Sequence, residues 1–411
     1  MSTLIQSPLV RILVAYALGV MAAMTVSEAV TELGAIAKEF HVFEHSQIGL
    51  IMSLPSLMVA LGALLAGYIV DRAGDRIVLL AGAVIIVTGD LFVVAAPAFN
   101  LLLAGRIVTG IGYVLTAVAA VTLLIRITTG KQRNMAMALW STFVPASFLL
   151  PFLSAGLADH FSNWRAAFIA HSILTLLLAA VAMVSLPRRT AEEKAQFSRT
   201  RGLRNVLRSP LTYLLGISFG ADAFLQTGII STLAPYLSKR YSVPLVDVAH
   251  WNVMAMVCNG IGCLMVGALL NRGVKAAAIG FIGLFLTGLP ALAIYTLSLG
   301  FMVSIGASWL FMFGSGLLVG MWALAPVVAP SRESIGATSG LITQFTLVGV
   351  FLGPPLFIAA QSNQDPQSLA VLVISGLVVC LAGVPIWLRD VHHHPGQDSN
   401  AAKRSTLKSH S

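Results

Sequence analysis

The chain has 411 residues, of which 57% are hydrophobic and only 10% are charged, and its formal net charge is +9 at pH 7. Soluble domains carry about 25% charged residues, so this composition cannot cover a surface that faces water. It excludes an ordinary soluble domain and indicates an integral membrane protein.

Twelve apolar runs are long enough to cross a bilayer as helices, which takes about 20 residues. They occupy residues 10–32, 46–70, 77–96, 99–124, 135–157, 164–186, 210–236, 249–270, 275–297, 299–328, 337–360 and 368–388, and we number them spans 1 to 12. Most connections between them are short. The sequence therefore predicts an all-α membrane protein.

One polar connection divides this protein into two sets of six spans. Residues 187–209 contain seven Lys or Arg and two Glu. We predict a first six-helix half over residues 1–186, a basic cytoplasmic linker over 187–209, a second half over 210–388, and a disordered cytoplasmic tail over 389–411.

The basic residues also predict the orientation, because Lys and Arg accumulate on the cytoplasmic side of membrane proteins. With the N-terminus inside, twenty of the 25 Lys and Arg lie on the inner side, and four lie outside: Lys38, Arg165, Lys239 and Arg240. This predicts a multi-pass protein of the plasma (inner) membrane with both termini cytoplasmic. It also accounts for the positive charge as a topology signal, without a nucleic-acid partner.

A charged sequence motif lies between spans 2 and 3. It reads Gly67-Tyr-Ile-Val-Asp71-Arg72-Ala-Gly74-Asp75-Arg76, and residues 267–273 after span 8 repeat part of it with Asn271 at the acidic position. The motif resembles the loop 2–3 signature G-x-x-x-D-R-x-G-x-R of the Major Facilitator Superfamily. Gly67, Asp71, Arg72, Gly74 and Arg76 match its five key positions, and Asp75 departs from it, since a basic residue is common there. Gly74 permits a tight reversal before span 3. The resemblance implies a gating loop, in which Asp71 lies near the cytoplasmic start of span 11 and Arg72 and Arg76 can form ion pairs across the halves.

Two more elements carry the same resemblance. Gly105-Arg106-Ile-Val-Thr-Gly110-Ile-Gly112 in span 4 is similar to the R-x-x-x-G-x-G pattern, and Asn163-Trp164-Arg165-Ala-Ala-Phe168 looks like N-W-R-x-x-F. The G-P-x-x-G-G motif that many antiporters of the superfamily carry in span 5 is absent from this sequence. The resemblance implies two pseudo-symmetric six-helix halves around a central cavity, with the substrate site between them.

Four ionisable residues lie inside the spans, where charge is costly and usually functional. They are Glu28, Asp90, Arg106 and Asp222. The resemblance implies that spans 1, 4 and 7 line the cavity, which favours Glu28, Arg106 and Asp222 for proton coupling over Asp90 in span 3. Three alternatives stay open: Glu28 as an interfacial residue, Arg106 in a structural ion pair with Asp90 at similar depth, and Asp222 as a polar residue satisfied by Gln226 one turn on.

Other polar and aromatic side chains on the same cavity-lining spans could orient a solute. They are Tyr16, Tyr113, Gln226, Trp309, Phe313 and Trp322. The alternative for each is a packing or interface role, which aromatic residues in membrane spans often have.

The sequence shows no nucleotide-binding motif and no clustered catalytic residues, so we predict a transporter and not an enzyme, with no cofactor and no metal site. We expect a monomer that moves a small-molecule substrate by alternating access, coupled to protons. A proton-driven antiporter that exports drugs or metabolites is the alternative, and a polytopic membrane enzyme or sensor is a distant one.

Overall fold

The computed structural model describes residues 7–29, 32–42, 44–148, 163–190, 202–362 and 366–389. Within these residues the secondary structure is helical, with turns between the helices. Membrane spans favour helices because a helix satisfies its backbone hydrogen bonds internally, where hydrocarbon offers no partners. Eleven helices in the described part of the chain are long and apolar enough to cross a membrane.

The helices follow the predicted order. In the structure, spans 1–4 and 6–12 are the helices Pro8–Ser27, His45–Ala73, Asp75–Ala95, Phe99–Ile127, Arg165–Ser185, Pro210–Tyr241, Leu245–Asn271, Ala276–Thr296, Phe301–Val319, Ile335–Ser362 and Pro366–Cys380. Spans 10 and 12 continue into short 3-10 turns, Gly320–Leu324 and Leu381–Gly383.

Three predicted segments lie partly outside the described residues. Span 5 begins as the helix Gly130–Trp140, and its second half falls on residues 149–162. The linker is described up to 190 and again from 202, where the short helix Gly202–Leu207 begins. The predicted tail falls almost wholly on residues 390–411.

The two halves meet on the side of the molecule that carries the linker, which we call the linker side. Span 2 packs against span 11, and span 5 against span 8. The Asn134 side chain donates to the Asn271 side chain at 2.9 Å in the second of these contacts. On the opposite side, one apolar cluster belongs to the first half and another to the second. The halves are therefore in close contact near the linker.

Span 2 and span 11 approach each other at glycines. A Cβ atom on Gly67 would overlap the backbone of Gly336. Gly67 of the sequence motif is thus explained by a helix contact that tolerates no side chain. Gly74 ends span 2 with φ +101°, a conformation that glycine adopts without strain, which confirms the predicted tight reversal before span 3.

Within the first half, spans 1, 3, 4 and 6 pack together. Span 3 contacts spans 4 and 6, and span 1 contacts the same two helices. Span 1 is directly followed by an ionisable residue near the side opposite the linker, and spans 3, 4 and 6 each carry one there, so the packing decides which of these charges meet.

Candidate functional site

A buried charge cluster lies among spans 1, 3, 4 and 6 of the first half. The Arg106 guanidinium donates from Nη1 to Glu28 Oε1 at 2.7 Å, and the two side chains are 0% and 1% exposed. Arg106 also donates to the backbone carbonyls of Ile51, at 2.9 Å, and Thr25. Its charge is therefore shared between one carboxylate and two carbonyls, as a buried guanidinium requires.

This geometry decides between the alternatives that the sequence left open. Glu28 immediately follows span 1 in the chain, but it is buried and paired and is not an interfacial side chain. The expected alternative of an Arg106–Asp90 pair is wrong, since Arg106 pairs with Glu28. Asp90 lies in the same cluster, but the side chain that a residue contacts depends on the rotation of its helix as well as on its position along the helix.

Asp90 instead contacts His171 in span 6, a residue that the sequence analysis missed. His171 Nδ1 lies 2.8 Å from Asp90 Oδ2 and 2.7 Å from Glu28 Oε2, and all three side chains are at most 1% exposed. Phe168, one turn before His171, covers the Arg106 guanidinium with its ring at 5.5 Å. The signal was present in the sequence as a histidine inside an apolar span, but only Asp, Glu, Lys and Arg had been counted as ionisable.

Asp222 makes no ion pair with the described residues of the second half. It is 1% exposed, and its Oδ2 accepts a hydrogen bond from the Ser315 hydroxyl of span 10 at 3.0 Å. Its other oxygen, Oδ1, is buried without a hydrogen bond among the described residues. The predicted alternative, in which Gln226 satisfies Asp222, is replaced by the contact with Ser315.

The motif between spans 2 and 3 joins the two halves. Asp71 is 7% exposed, and its carboxylate accepts the backbone N–H groups of Gly336 and Ala337, both at 2.8 Å. These residues form the first turn of span 11, where unpaired N–H groups favour a negative charge. The predicted proximity of Asp71 to span 11 is present in the structure.

The other motif residues have contacts inside the first half, where ion pairs across the halves had been predicted. Arg72 lies over the Tyr68 ring at 5.2 Å, and Arg76 donates to the Met183 carbonyl of span 6. The contacts of both arginines are therefore with the Tyr68 ring and the Met183 carbonyl of their own half.

Asp75, the departure from the family pattern, is the centre of a second charge network. It is fully buried and accepts from Arg126 at 2.7 and 3.0 Å and from Arg189 at 3.3 and 3.4 Å. Arg189 belongs to the start of the linker and also donates to the Asp71 carbonyl at 2.7 Å. Asp75, an acid where the family pattern commonly has a base, therefore binds two arginines. Through Arg189 it attaches the start of the linker to the end of span 2.

The N-W-R element is held on the side opposite the linker. Arg165 donates to both oxygens of Glu39, at 2.6 and 2.9 Å, and the Trp164 indole donates to the same carboxylate at 2.6 Å. These hydrogen bonds, first from Arg165 and then from Trp164, lower the pKa of Glu39, which lies between spans 1 and 2. The element therefore attaches the start of span 6 to the connection between the first two spans.

The six predicted cavity residues have different surroundings. The Tyr16 hydroxyl is 2.8 Å from that of Thr142, Tyr113 is buried, and Gln226 and Phe313 are half-buried. Trp322 is buried with its ring 5.5 Å from Phe219, and Trp309 donates to the Trp251 carbonyl at 3.2 Å. A cavity of about 1000 Å³ opens on the linker side, and none of the six is among the described residues that line it. Their role in binding solute stays a prediction.

These observations define a polytopic helical membrane protein with two six-helix halves, buried charges inside the bundle and a charged contact that joins the halves. The sequence matches the Major Facilitator Superfamily over residues 12–354. The chain belongs to this superfamily.

Individual relatives of known function are distant. The chain is 28% identical to the arabinose-proton symporter of Escherichia coli over 156 residues, which are 38% of this chain and 33% of that protein. It is 26% identical to the multidrug efflux pump LfrA of Mycolicibacterium smegmatis over 53% of this chain and 45% of the pump. It is also 26% identical to the 2-nitroimidazole transporter of Escherichia coli over 81% of this chain and 84% of that protein. The chain thus spans about a third of the arabinose symporter that it matches.

Solved structures share the fold. The proton:xylose symporter XylE superimposes with a TM-score of 0.74 at 14% identity over 92% of this chain and 95% of the other, and the Escherichia coli fucose:proton symporter FucP with 0.73 at 14% identity over 93% and 100%. At this identity the likeness concerns the architecture, and it confirms the predicted all-α transporter fold.

Proposed function

We propose that this protein is a secondary active transporter that moves a small solute across the inner membrane by alternating access, driven by the proton gradient. The observation that carries the proposal is the Glu28–Arg106 ion pair, fully buried in the first half of a chain that belongs to a transporter superfamily. Burying such a pair costs free energy. Proton exchange between its carboxylate and water in a cavity is the simplest reason for a protein to retain a buried ion pair. The names of the arabinose and xylose proton symporters support the same coupling ion.

The residues have distinct proposed roles. Arg106 keeps its charge at all physiological pH values, so it cannot carry the proton, and it either favours proton release from Glu28 or binds an anionic part of the solute. Asp222 is the proposed proton carrier of the second half, because its carboxylate has one hydrogen-bond donor and an unpaired buried oxygen. Protonation would neutralise the Asp222 carboxylate, whose negative charge is poorly stabilised inside the helix bundle.

The gating contact is proposed to be the one between Asp71 and span 11. It holds the halves together on the linker side, which we propose faces the cytoplasm with both termini. The solute would then bind between the halves, near Tyr16, Tyr113, Gln226, Trp309, Phe313 and Trp322. We propose that the protein acts as a monomer, because a single chain contains the charge sites of both halves. Its proposed partners are protons and the solute.

Transport in proteoliposomes tests the proposal. The purified protein would be offered arabinose, galactose, xylose and 2-nitroimidazole, with a pH-sensitive dye inside the vesicles. We expect accumulation of at least one solute under an imposed pH gradient, and loss of that accumulation in Glu28→Gln. Glu44→Gln, at an exposed carboxylate on the same side, is the matched control and should transport normally. Equal accumulation with and without the gradient would contradict proton coupling.

Proton-driven export is the second candidate, and the partial similarity to the multidrug efflux pump favours it. The sign of the dye signal separates the two directions. In a symporter, solute and protons enter the vesicle together and the interior acidifies. In an antiporter, solute entry is accompanied by proton exit and the interior becomes alkaline.

A further inference from the structure

His171 lies between two buried carboxylates that belong to different spans. Its Nδ1 atom is 2.7 Å from Glu28 Oε2 and 2.8 Å from Asp90 Oδ2. Its Nε2 atom is 2.9 Å from the Met21 carbonyl oxygen of span 1. The Ser172 hydroxyl donates to the same Asp90 oxygen at 3.4 Å. Every polar atom of the ring therefore has a partner inside the protein.

The partners of the ring determine where its protons lie. A backbone carbonyl can only accept, so Nε2 carries a hydrogen in every state of the site. If the ring is neutral, Nδ1 has no hydrogen and can only accept, as ionised carboxylates also do. The short contacts of Nδ1 therefore require one further proton, on Nδ1 itself or on one of the two carboxyl oxygens that face it.

Counting charges gives the same number of protons. The ionisable side chains in contact within the described cluster are Arg106, Glu28, Asp90 and His171, each at most 1% exposed. One positive guanidinium and two carboxylates leave a charge of minus one, and a single additional proton brings the buried cluster to neutrality. Burial penalises any net charge, so the cluster is most stable with one such proton. The possible metal-ligand atoms of Glu28, Asp90 and His171 also lie within 4.8 Å of one another, as a metal site requires. A single proton, however, already neutralises the cluster.

One carboxylate oxygen is ready to receive this proton. Glu28 Oε2 is buried 2.7 Å from Nδ1 and has no hydrogen-bond donor other than this ring in the described structure, whereas Asp90 Oδ2 lies 2.8 Å from Nδ1 and also accepts from the Ser172 hydroxyl. Glu28 follows the last turn of span 1 and is the member of the cluster that lies at a helix end. It can move towards water when the halves separate, with little change to the packing of spans 3 and 6.

We infer that His171 and Asp90 complete, with Glu28, a three-group site in the first half that holds one transferable proton, on His171 Nδ1 in the state seen here. The inference rests on the proposed proton-coupled transport and adds two residues to it. On opening, the proton moves from Nδ1 to Glu28 Oε2, breaking an N–H bond and forming an O–H bond, and water in the cavity then takes it from Glu28. Asp90 stabilises the protonated ring, and Arg106 stabilises Glu28 after release.

Nitrogen-15 NMR of the histidine rings, on the full-length protein in lipid nanodiscs at pH 7, tests where the proton lies. The His171 signals are identified among the nine histidines by their loss in His171→Asn. We expect both ring nitrogens of His171 to be protonated in the wild type. In Glu28→Gln or Asp90→Asn, Arg106 balances the remaining carboxylate, so we expect a neutral ring with hydrogen on Nε2 only. A neutral ring in the wild type, or an imidazolium in both variants, would overturn the inference.

Transport of radiolabelled arabinose and 2-nitroimidazole in proteoliposomes tests the role of this proton. The Asn amide of His171→Asn can still donate to the carboxylates but cannot release a proton, so we expect at least a tenfold loss of pH-gradient-driven accumulation, with solute exchange within twofold of wild type. His41→Asn is the matched control: His41 is exposed with φ 55°, a conformation that Asn tolerates, and it should transport normally. Wild-type accumulation in His171→Asn would overturn the inference and leave the proposed function intact. If the wild type accumulates neither solute, the proposed function fails for them, while the NMR result still decides the proton site.

Discussion

The carboxylate of Asp71 accepts the backbone N–H of Gly336 at 2.8 Å, across 265 residues of sequence and between the two halves of the molecule. The same carboxylate also accepts the next N–H, from Ala337. One side chain at the end of span 2 therefore caps the beginning of span 11. Because a helix start offers unpaired donors, the contact needs no partner side chain from the second half.

Asp71→Asn should weaken this contact and shift the protein towards a state open on the linker side. A carboxylate at a helix start contributes about 0.3–1 kcal/mol, and up to about 2 kcal/mol when partly buried. This corresponds to a change of up to about thirtyfold in the ratio of closed to open states. Thiol labelling of single cysteines placed in the linker-side cavity measures the change, and we expect faster labelling with slower turnover.

Arg72→Gln is the control for this experiment, since Arg72 is exposed and lies over Tyr68 in its own half. Its labelling rates should equal those of the wild type. Unchanged labelling in Asp71→Asn would show that the cap does not hold the halves together.

Asp75→Asn should destabilise the folded protein. Asp75 is fully buried and holds Arg126 and Arg189, and removal of one partner from a buried ion pair costs about 3–5 kcal/mol because the remaining charge is uncompensated. A lower thermal unfolding temperature in detergent, with early cleavage near the linker by added protease, is the expected result. The same substitution at exposed Asp247, in the first turn of span 8, should leave both measurements unchanged. If Asp75→Asn unfolds at the wild-type temperature, the network contributes little to stability.

Asp222→Asn should abolish accumulation driven by a pH gradient and retain solute exchange, because Asn keeps the size of the side chain and cannot take up a proton. Ser315→Ala removes the hydroxyl that donates to Asp222 at 3.0 Å but leaves the carboxyl group, so coupling should persist in that variant. Proteoliposome uptake with and without the gradient measures both. Coupled uptake by Asp222→Asn at the wild-type level would transfer the coupling role to Glu28 and its neighbours.

Arg106→Ala should impair both accumulation and exchange. Its guanidinium holds Glu28 and two backbone carbonyls, and removing it leaves the Glu28 carboxylate buried with His171 as its only charged neighbour of opposite sign in the described cluster. Arg106→Lys separates charge from geometry, because an ammonium group cannot make the same set of planar contacts. Normal transport by the lysine variant would show that charge alone suffices and would exclude a bidentate contact with an anionic solute.

The orientation can be tested at the linker. Ser198 falls on residues that the structure does not describe, within the basic segment that the sequence predicts to be cytoplasmic. A cysteine at position 198, in a variant without the three native cysteines, should resist membrane-impermeant maleimide in intact cells and react after lysis. A cysteine at His41, on the predicted outer side, should react in intact cells. The reverse pattern would invert the topology.

Much of the architecture was determined by the sequence. The span positions follow from hydrocarbon solvation, which requires about 20 apolar residues per crossing, and each crossing is local in sequence. The motif at residues 67–76 also predicted the contact of Asp71 with span 11, since the family resemblance supplied the long-range proximity that local patterns lack. Glu28, Arg106 and Asp222 were recognised because buried charge is rare in spans.

Only the tertiary structure decided which buried charges are partners. The rise per residue along a helix gives the depth of Asp90, Arg106 and Glu28 but not the rotation of each helix or its neighbours. The sequence therefore left an Arg106–Asp90 pair open as an alternative, and the structure pairs Arg106 with Glu28. His171 was missed because only Asp, Glu, Lys and Arg were taken as ionisable, and its two carboxylate neighbours, which are far away in sequence, become visible only in the fold. Asp75 was noted as a departure from a pattern, and its buried pairing with Arg126 and Arg189 became visible only when span 4 and the start of the linker were folded against it. Ion pairs form between groups about 3–4 Å apart in space, which the fold decides. Sequence patterns determine only where each helix forms and whether lipid or water surrounds it.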